Sequence, residues 1–357
     1  MAWLHEYELS AQVPFGHDCV RSAAASAPES GRSIVECHSS VGGYDEAIMQ
    51  KAVSVVRDAR IELWRCFCMA AIVAFHVLAA NGITDQALWR WHVPGFLIIT
   101  GYFGTRFTFK KVLKLLGVVY ACYWLTIPLR GFNENVISLA LPHGGWFLPF
   151  YVVLLLCTPI MNAALMDCKS HKAFVVSLTA LLVIAWIPCF SQNPHVLSLK
   201  GAGLTTGGLL LTFSVYMFSR IVREYDVPTR FSWMIWALGF VIGVICMGLI
   251  GMHFPLAVAY GTPITLVTAM CGFCAFRQLP LLPNWLSRII LFVSPSMFSV
   301  YIIHHCCLLS WERVEDGRIG YVMLRAVVLF LLGLGIDLVR RGMLFGTRLV
   351  LRKGRRE

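Results

Sequence analysis

Long apolar runs, each about the length that crosses a bilayer and each bounded by glycine, proline or a knot of basic residues, fill the chain from residue 57 to residue 340. A helical span takes roughly 20 apolar residues. Backbone in lipid must satisfy its own hydrogen bonds, so runs of this length fold as helices. The predicted fold class is therefore all-α, a polytopic transmembrane helix bundle of about ten spans. Hydropathy, with Gly, Pro and charge clusters as breaks, puts the spans near 61–80, 91–105, 112–129, 146–166, 172–190, 203–219, 232–251, 254–276, 289–311 and 319–340. The second and sixth are short or rich in glycine. Charged residues make up 14% of the chain and apolar ones 58%, against about 25% and 45–50% in a soluble domain. A water-soluble globular enzyme is excluded.

The formal charge is +11, and its distribution tests the span assignment. With a cytoplasmic N-terminus, the inner segments hold Lys51, Arg57 and Arg60, then Arg106, Lys110, Lys111 and Lys114, and further basic residues on to the group between Arg340 and Arg356. Twenty-one basic residues fall inside, and five (Arg90, Arg130, Lys200, Arg313 and Arg318) fall outside. That asymmetry is the positive-inside pattern of a multi-pass protein with both termini cytoplasmic. Topology accounts for the excess charge, so nucleic acid is not an expected partner; the lipid bilayer is.

Residues 1–56, rich in Ser, Ala, Gly and Pro, read as a mobile cytoplasmic tail with a short helix over 45–56. No basic stretch precedes an apolar one there, so no cleavable signal peptide is expected. Residues 57–345 form the expected transmembrane domain and 346–357 a basic cytoplasmic tail. Ten of the thirteen cysteines lie within apolar runs without a spaced Cys/His grid. They read as core filler. The C-x-x-C pair Cys271 and Cys274 has no second pair to complete a zinc site.

Ionisable groups at membrane depth are costly unless paired or hydrated, which makes them the default functional candidates. The first span, RIELWRCFCMAAIVAFH, carries Glu62, Arg65 and His76. Eleven residues at 100° each return His76 to within about 20° of Arg65, some 16 Å further along the axis. Glu62, three residues before Arg65, is spaced to pair with it. On their own, Glu62 and Arg65 read as interfacial anchors. His76, about sixteen residues into the span, reads as an uncharged imidazole able to accept a proton, the condition of a general base. The ninth span, PSMFSVYIIHHCCLL, brings His304 and His305 to about the same depth. Adjacent helical residues point about 100° apart, so only one of the two faces a given site. No carboxylate lies at that depth in either span, and no metal is expected. Arg106, Lys110, Lys111 and Lys114 sit at the inner mouth, either as topological anchors or as receivers of an anionic donor.

Four segments, in order, resemble the acyltransferase 3 family of integral-membrane enzymes. The first span matches its acidic-x-x-Arg and Arg-x10-His pattern through Glu62, Arg65 and His76. VPGFLIITGYF, ending Gly101, Tyr102 and Phe103, resembles its second span. GGWFLPFYVVLLLCTPIMN, with Trp146, Phe147, Tyr151 and Pro159, resembles the fourth. SVYIIHH, with Tyr301 three residues before His304, resembles a late helix. Order and spacing agree over residues 57–340. One departure is Lys111-x-x-Lys114 where the family often has Arg-x-x-Arg, which keeps the charge and loses the bidentate fork. No extramembrane esterase-like domain is expected.

The resemblance implies an acyltransferase in the cell (plasma) membrane that moves an acyl group, usually acetyl, from a cytoplasmic acyl-CoA to a hydroxyl of a glycan or lipid-linked sugar. Acetyl-CoA or another acyl-CoA is then a co-substrate, with no tightly bound cofactor. His76 is expected to act as base or acyl carrier, with Arg65 and Glu62 beside the donor's entry. Tyr301, His304 and Trp146 are expected around the acceptor, and Arg106, Lys110, Lys111 and Lys114 around the donor. A transporter or flippase of a glycan or small anion is the competing class, but the inverted repeat it commonly shows has no counterpart to the Glu-x-x-Arg-x10-His pattern.

Overall fold

The computed structural model describes residues 57–82, 87–105, 107–130, 147–167, 209–308 and 319–353. Contacts divide the chain into Met1–Arg57 and Asp58–Glu357, and the helices of the bundle belong to the second unit. The expected N-terminal tail and the fifth span at 172–190 lie outside the described residues.

Helices account for the regular structure, and no strand occurs among the described residues. They are α1 (Ala59–Ala80), α2 (His92–Phe103), α3 (Phe109–Arg130), α4 (Phe147–Asp167), α5 (Leu209–Glu224), α6 (Trp233–His253), α7 (Pro263–Gln278), α8 (Asn284–Val293), α9 (Met297–Leu308) and α10 (Ile319–Lys353). Five stretches among the described residues are long and apolar enough to cross a membrane: Ala59–Ala80, Phe109–Leu129, Trp233–His253, Asn284–Cys307 and Ile319–Thr347. α6 leaves Met234, Ile235, Leu238, Val241, Ile242 and Leu249 exposed. A helix apolar all round suits a lipid environment. This is a membrane protein.

Three expected spans differ from the helices observed. The ninth, 289–311, is interrupted: α8 stops at Val293, a 3-10 turn covers Ser294–Ser296, and α9 starts at Met297. Pro295 causes the break, because it has no N–H to donate and its ring crowds the carbonyl four residues back. The eighth, 254–276, begins with a 3-10 turn at Pro255–Val258, and α7 starts only at Pro263, where a proline at the first helical positions is tolerated. The tenth, 319–340, is longer than its apolar run, and α10 continues to Lys353. The basic residues there interact favourably with the helix's C-terminal end.

Local chemistry sets the helix ends. Asp58 caps α1 by accepting from the Arg60 amide at 3.0 Å, the usual role of a residue before the first turn. The Arg60 side chain also donates to it, and Arg277 of α7 lies 3.5 Å away. Burial works to raise the Asp58 pKa, but the hydrogen bonds from Arg60 and the charges of Arg60 and Arg277 outweigh it and hold the carboxyl below its ordinary value. α2 closes on Gly104, whose φ of +73° is a backbone state that glycine enters without steric cost.

α1 is the central element, packing against α2, α7, α8, α9 and α10. Its anchor is Trp64, which is fully buried and donates from Nε1 to the Gly95 carbonyl of α2 at 3.1 Å. The indole fits because α7 presents Gly272: a Cβ there would come within 2.4 Å of the ring. Phe67, Trp91, Phe240 and Phe276 complete an aromatic cluster around it.

Candidate functional site

α1 and α9 bring two imidazoles into direct contact at the end of α1 away from Trp64. His76 Nδ1 lies 2.9 Å from His304 Nε2, and the rings stack with centroids 5.1 Å apart and planes 22° from parallel. The other nitrogen of His304 lies 3.1 Å from the Val300 carbonyl, one turn back on α9. A carbonyl oxygen only accepts, so His304 Nδ1 carries the hydrogen and its Nε2, in the neutral ring, carries a lone pair. That lone pair accepts from His76 Nδ1–H. His76 Nε2 is left unprotonated, the tautomer a proton-abstracting imidazole requires.

His304 is fully buried, whereas His76 and His305 are partly exposed. The His305 ring sits 6.2 Å from His76 at a steep angle. Of the two adjacent histidines it is thus His304 that bonds His76. Tyr301 is buried with its ring 5.6 Å from His304. Together with Met69, Ile72, Val93, Phe96 and Phe298 it lines a small apolar void of about 10 Å³, room for about one water-sized group. Ile72 lies one helical turn before His76, so the void adjoins the imidazole pair. On the other side of His76, Phe75 stands between it and His92, with centroid distances of 5.3 and 5.1 Å. Tyr260, from the connection before α7, packs edge-on to His92 at 5.5 Å.

Near the start of α1, Arg65 donates to Glu62 Oε2 at 2.9 Å, with the Glu62 side chain 4% and that of Arg65 21% exposed. The ion pair anticipated from the three-residue spacing is present. On α3, Lys111 is buried, Lys114 half-buried and Lys110 exposed, so the basic stretch turns different members to different surroundings. Arg106 and Trp146 lie outside the described residues. The linker flanking Arg106 is held by a small network: Thr105 N–H donates to the Tyr216 hydroxyl at 3.2 Å, Tyr216 donates to Asn162 at 2.9 Å, and Asn162 donates to the Thr105 carbonyl at 3.1 Å. Arg223 caps α2 by donating to the Tyr102 and Phe103 carbonyls at 3.2 and 3.0 Å.

The imidazole pair thus lies in a helical membrane bundle with a paired glutamate and arginine lower on the same helix. A sequence model described as an acyltransferase domain, that of the acyltransferase 3 family, matches residues 58–336. The chain belongs to the acyltransferase 3 family. Membership agrees with the order of the four segments carrying Glu62, Arg65, His76, Gly101, Tyr151, Tyr301 and His304. Comparison with curated proteins and with solved structures returned no match.

Several residues near the family's motifs carry little signal in the sequence. His92 and Tyr260 pack on Phe75 beside His76, Arg90 bonds the nearby Pro255 carbonyl, and their only mark is being polar at the edge of an apolar run. Asp337 of α10 is fully buried and paired with Arg340 at 2.6 Å. A carboxylate at membrane depth three residues before an arginine is the same signal that marks Glu62 and Arg65. Among the described residues, no three His, Cys, Asp or Glu side chains are grouped to hold a metal ion.

Proposed function

We propose that the protein is a plasma-membrane O-acyltransferase that moves an acetyl group from cytoplasmic acetyl-CoA to a hydroxyl of a glycan or lipid-linked sugar, with His76 as general base. The observation that carries this reading is the hydrogen-bond chain from the Val300 carbonyl through His304 to His76. It fixes the tautomer of His76 and directs a lone pair away from the partner ring. A base oriented by a second group that itself is anchored is the recurring logic of such sites.

The acceptor hydroxyl gives its proton to His76 Nε2 as its oxygen bonds to the thioester carbonyl carbon. The C–S bond then breaks, and the departing CoA thiolate takes the proton back from the imidazolium. His304 accepts throughout from His76 Nδ1–H and stabilises the transient positive charge. The small void beside Ile72 and Tyr301 suits the methyl of an acetyl group. Lys111 and Lys114, with Arg106, supply positive charge for the donor's phosphates, and Arg65, held by Glu62, lines the donor's path along α1.

The test is reconstitution of purified protein in vesicles with radiolabelled acetyl-CoA and a glycan extract, comparing wild type with His76→Ala and Arg65→Ala. Label is expected in the glycan with wild type, at a reduced level with Arg65→Ala and at background with His76→Ala. Undiminished transfer by His76→Ala removes the base assignment, and efflux of unmodified sugar favours a transporter.

A further inference from the structure

His92 opens α2 just after the 3-10 turn Ala87–Trp89. Its ring is fully buried, and its two nitrogens have unequal surroundings. Nδ1 bonds the Trp89 carbonyl three residues back, which makes Nδ1 the donor and leaves Nε2 with a lone pair. Nε2 is buried and meets no hydrogen-bond partner among the described residues. Buried polar atoms in folded proteins are nearly always satisfied, so an orphan of this kind marks a place where something else binds.

The chemistry of the missing group follows from the tautomer. A lone pair accepts, so a carboxylate, a phosphate or the thioester carbonyl cannot serve; an O–H or N–H donor can. The surroundings narrow this further. Phe75, adjacent in sequence to His76, separates the two imidazoles, and Tyr260 closes the far side of His92, 6.1 Å from Phe75. An acceptor imidazole among aromatic rings fits a polyhydroxylated molecule, whose C–H faces lie on the rings while its hydroxyls donate. Arg90 fixes this corner by donating to the Pro255 carbonyl in the turn before α7.

We propose that His92 is a positioning residue for the acyl acceptor, its Nε2 accepting a hydrogen bond from a hydroxyl near the one that His76 deprotonates. This rests on the acyl-transfer reading above. A polyol carries several hydroxyls, so one held by His92 leaves others of the same molecule to reach His76 past the Phe75 ring. No covalent step involves His92.

The deciding variant is His92→Asn, whose amide retains a donor toward the Trp89 carbonyl but has no atom at the Nε2 position. With methyl glucoside and methyl galactoside as probe acceptors and radiolabelled acetyl-CoA as donor, the variant is expected to raise the acceptor KM about tenfold and leave the acetyl-CoA KM unchanged. An unchanged acceptor KM overturns the proposal, as does a parallel fall in folded yield and in kcat with both KM values intact. The companion measurement is the wild-type structure in lipid nanodiscs at a resolution that shows ordered water. An oxygen, from water or acceptor, is expected within about 3.2 Å of Nε2; a nitrogen packed only against carbon overturns the site. If wild type moves no label to either probe, the acyl-transfer reading fails, and the density decides His92 separately.

Discussion

His76 and His304 are separated by 228 residues in the chain and by 2.9 Å in the fold. Their hydrogen bond is directional, because the Val300 carbonyl dictates which nitrogen of His304 bears hydrogen. Replacing His304 therefore changes the tautomer balance of His76 without removing it. His304→Ala is expected to lower kcat by about 10²-fold, within the usual range for general-base contributions. His304→Gln, whose carbonyl reaches the Nε2 position, should recover a substantial part. Steady-state kinetics in proteoliposomes distinguish the two, and equal rates for all three proteins would sink the dyad.

Acidification acts on the same pair. Both rings must be neutral for the chain of donors and acceptors to exist, so the rate of transfer should fall as pH drops and either imidazole gains a proton. In His304→Gln a single ring titrates, and the acid limb of the kcat profile should change position. A profile identical to wild type counts against coupling of the two rings.

The ion pair between Glu62 and Arg65 presents a different balance. Glu62 is almost wholly buried, so Arg65→Ala removes a charge partner from a desolvated carboxylate. Breaking a buried pair from one side costs on the order of 3–5 kcal/mol, reduced here by the partial exposure of Arg65. The double variant Glu62→Gln with Arg65→Met is expected to unfold at a higher temperature than Arg65→Ala alone, while the KM for acetyl-CoA stays elevated in both. Thermal unfolding in detergent and donor kinetics report the two effects separately.

Asp58 offers a stability prediction with a definite sign. Its pKa is held below the ordinary value, so its contribution is fully present above the unfolded carboxylate range, near about 3.9, and is lost as pH falls through the lower folded value. Asp58→Asn keeps a capping oxygen and loses the ion pairs to Arg60 and Arg277, which should cost up to about 1 kcal/mol at neutral pH. The gap in unfolding temperature between wild type and variant should narrow toward pH 3. A gap independent of pH would show that the charge contributes nothing.

Gly272→Ala places a methyl group where the Trp64 ring already lies. Overpacking of this kind typically costs about 1–3 kcal/mol, and Trp64→Phe in the same chain should restore part of it by vacating space. Circular dichroism melts of the single and double variants measure the compensation.

The helices were legible because apolar runs in lipid have few other options, and the positions of His76 and His304 followed from counting residues along two spans. Partner choice between His304 and His305 was not legible. It depends on the rotation of α9 about its own axis, which a count of residues along the span does not fix. The pairing of Glu62 with Arg65 was local and hence readable; Asp337 and Arg340 share that spacing, and their pair comes from the structure. His92 and Tyr260 were hidden because His92 is the first residue of α2 and Tyr260 lies in the irregular connection before α7, where periodicity does not yet link a residue to a face. Burial of Lys111 beside an exposed Lys110 likewise depends on neighbours distant in sequence.

Trp64 and His76 stand twelve residues apart on α1, about 18 Å along its axis, one clamped between glycines and the other bonded to a second imidazole. The helix is thus divided into a rigid foot and a working head. Sturdiness can be engineered at the foot with the two imidazoles left undisturbed, and the surroundings of the head can be altered while the clamp still secures the bundle.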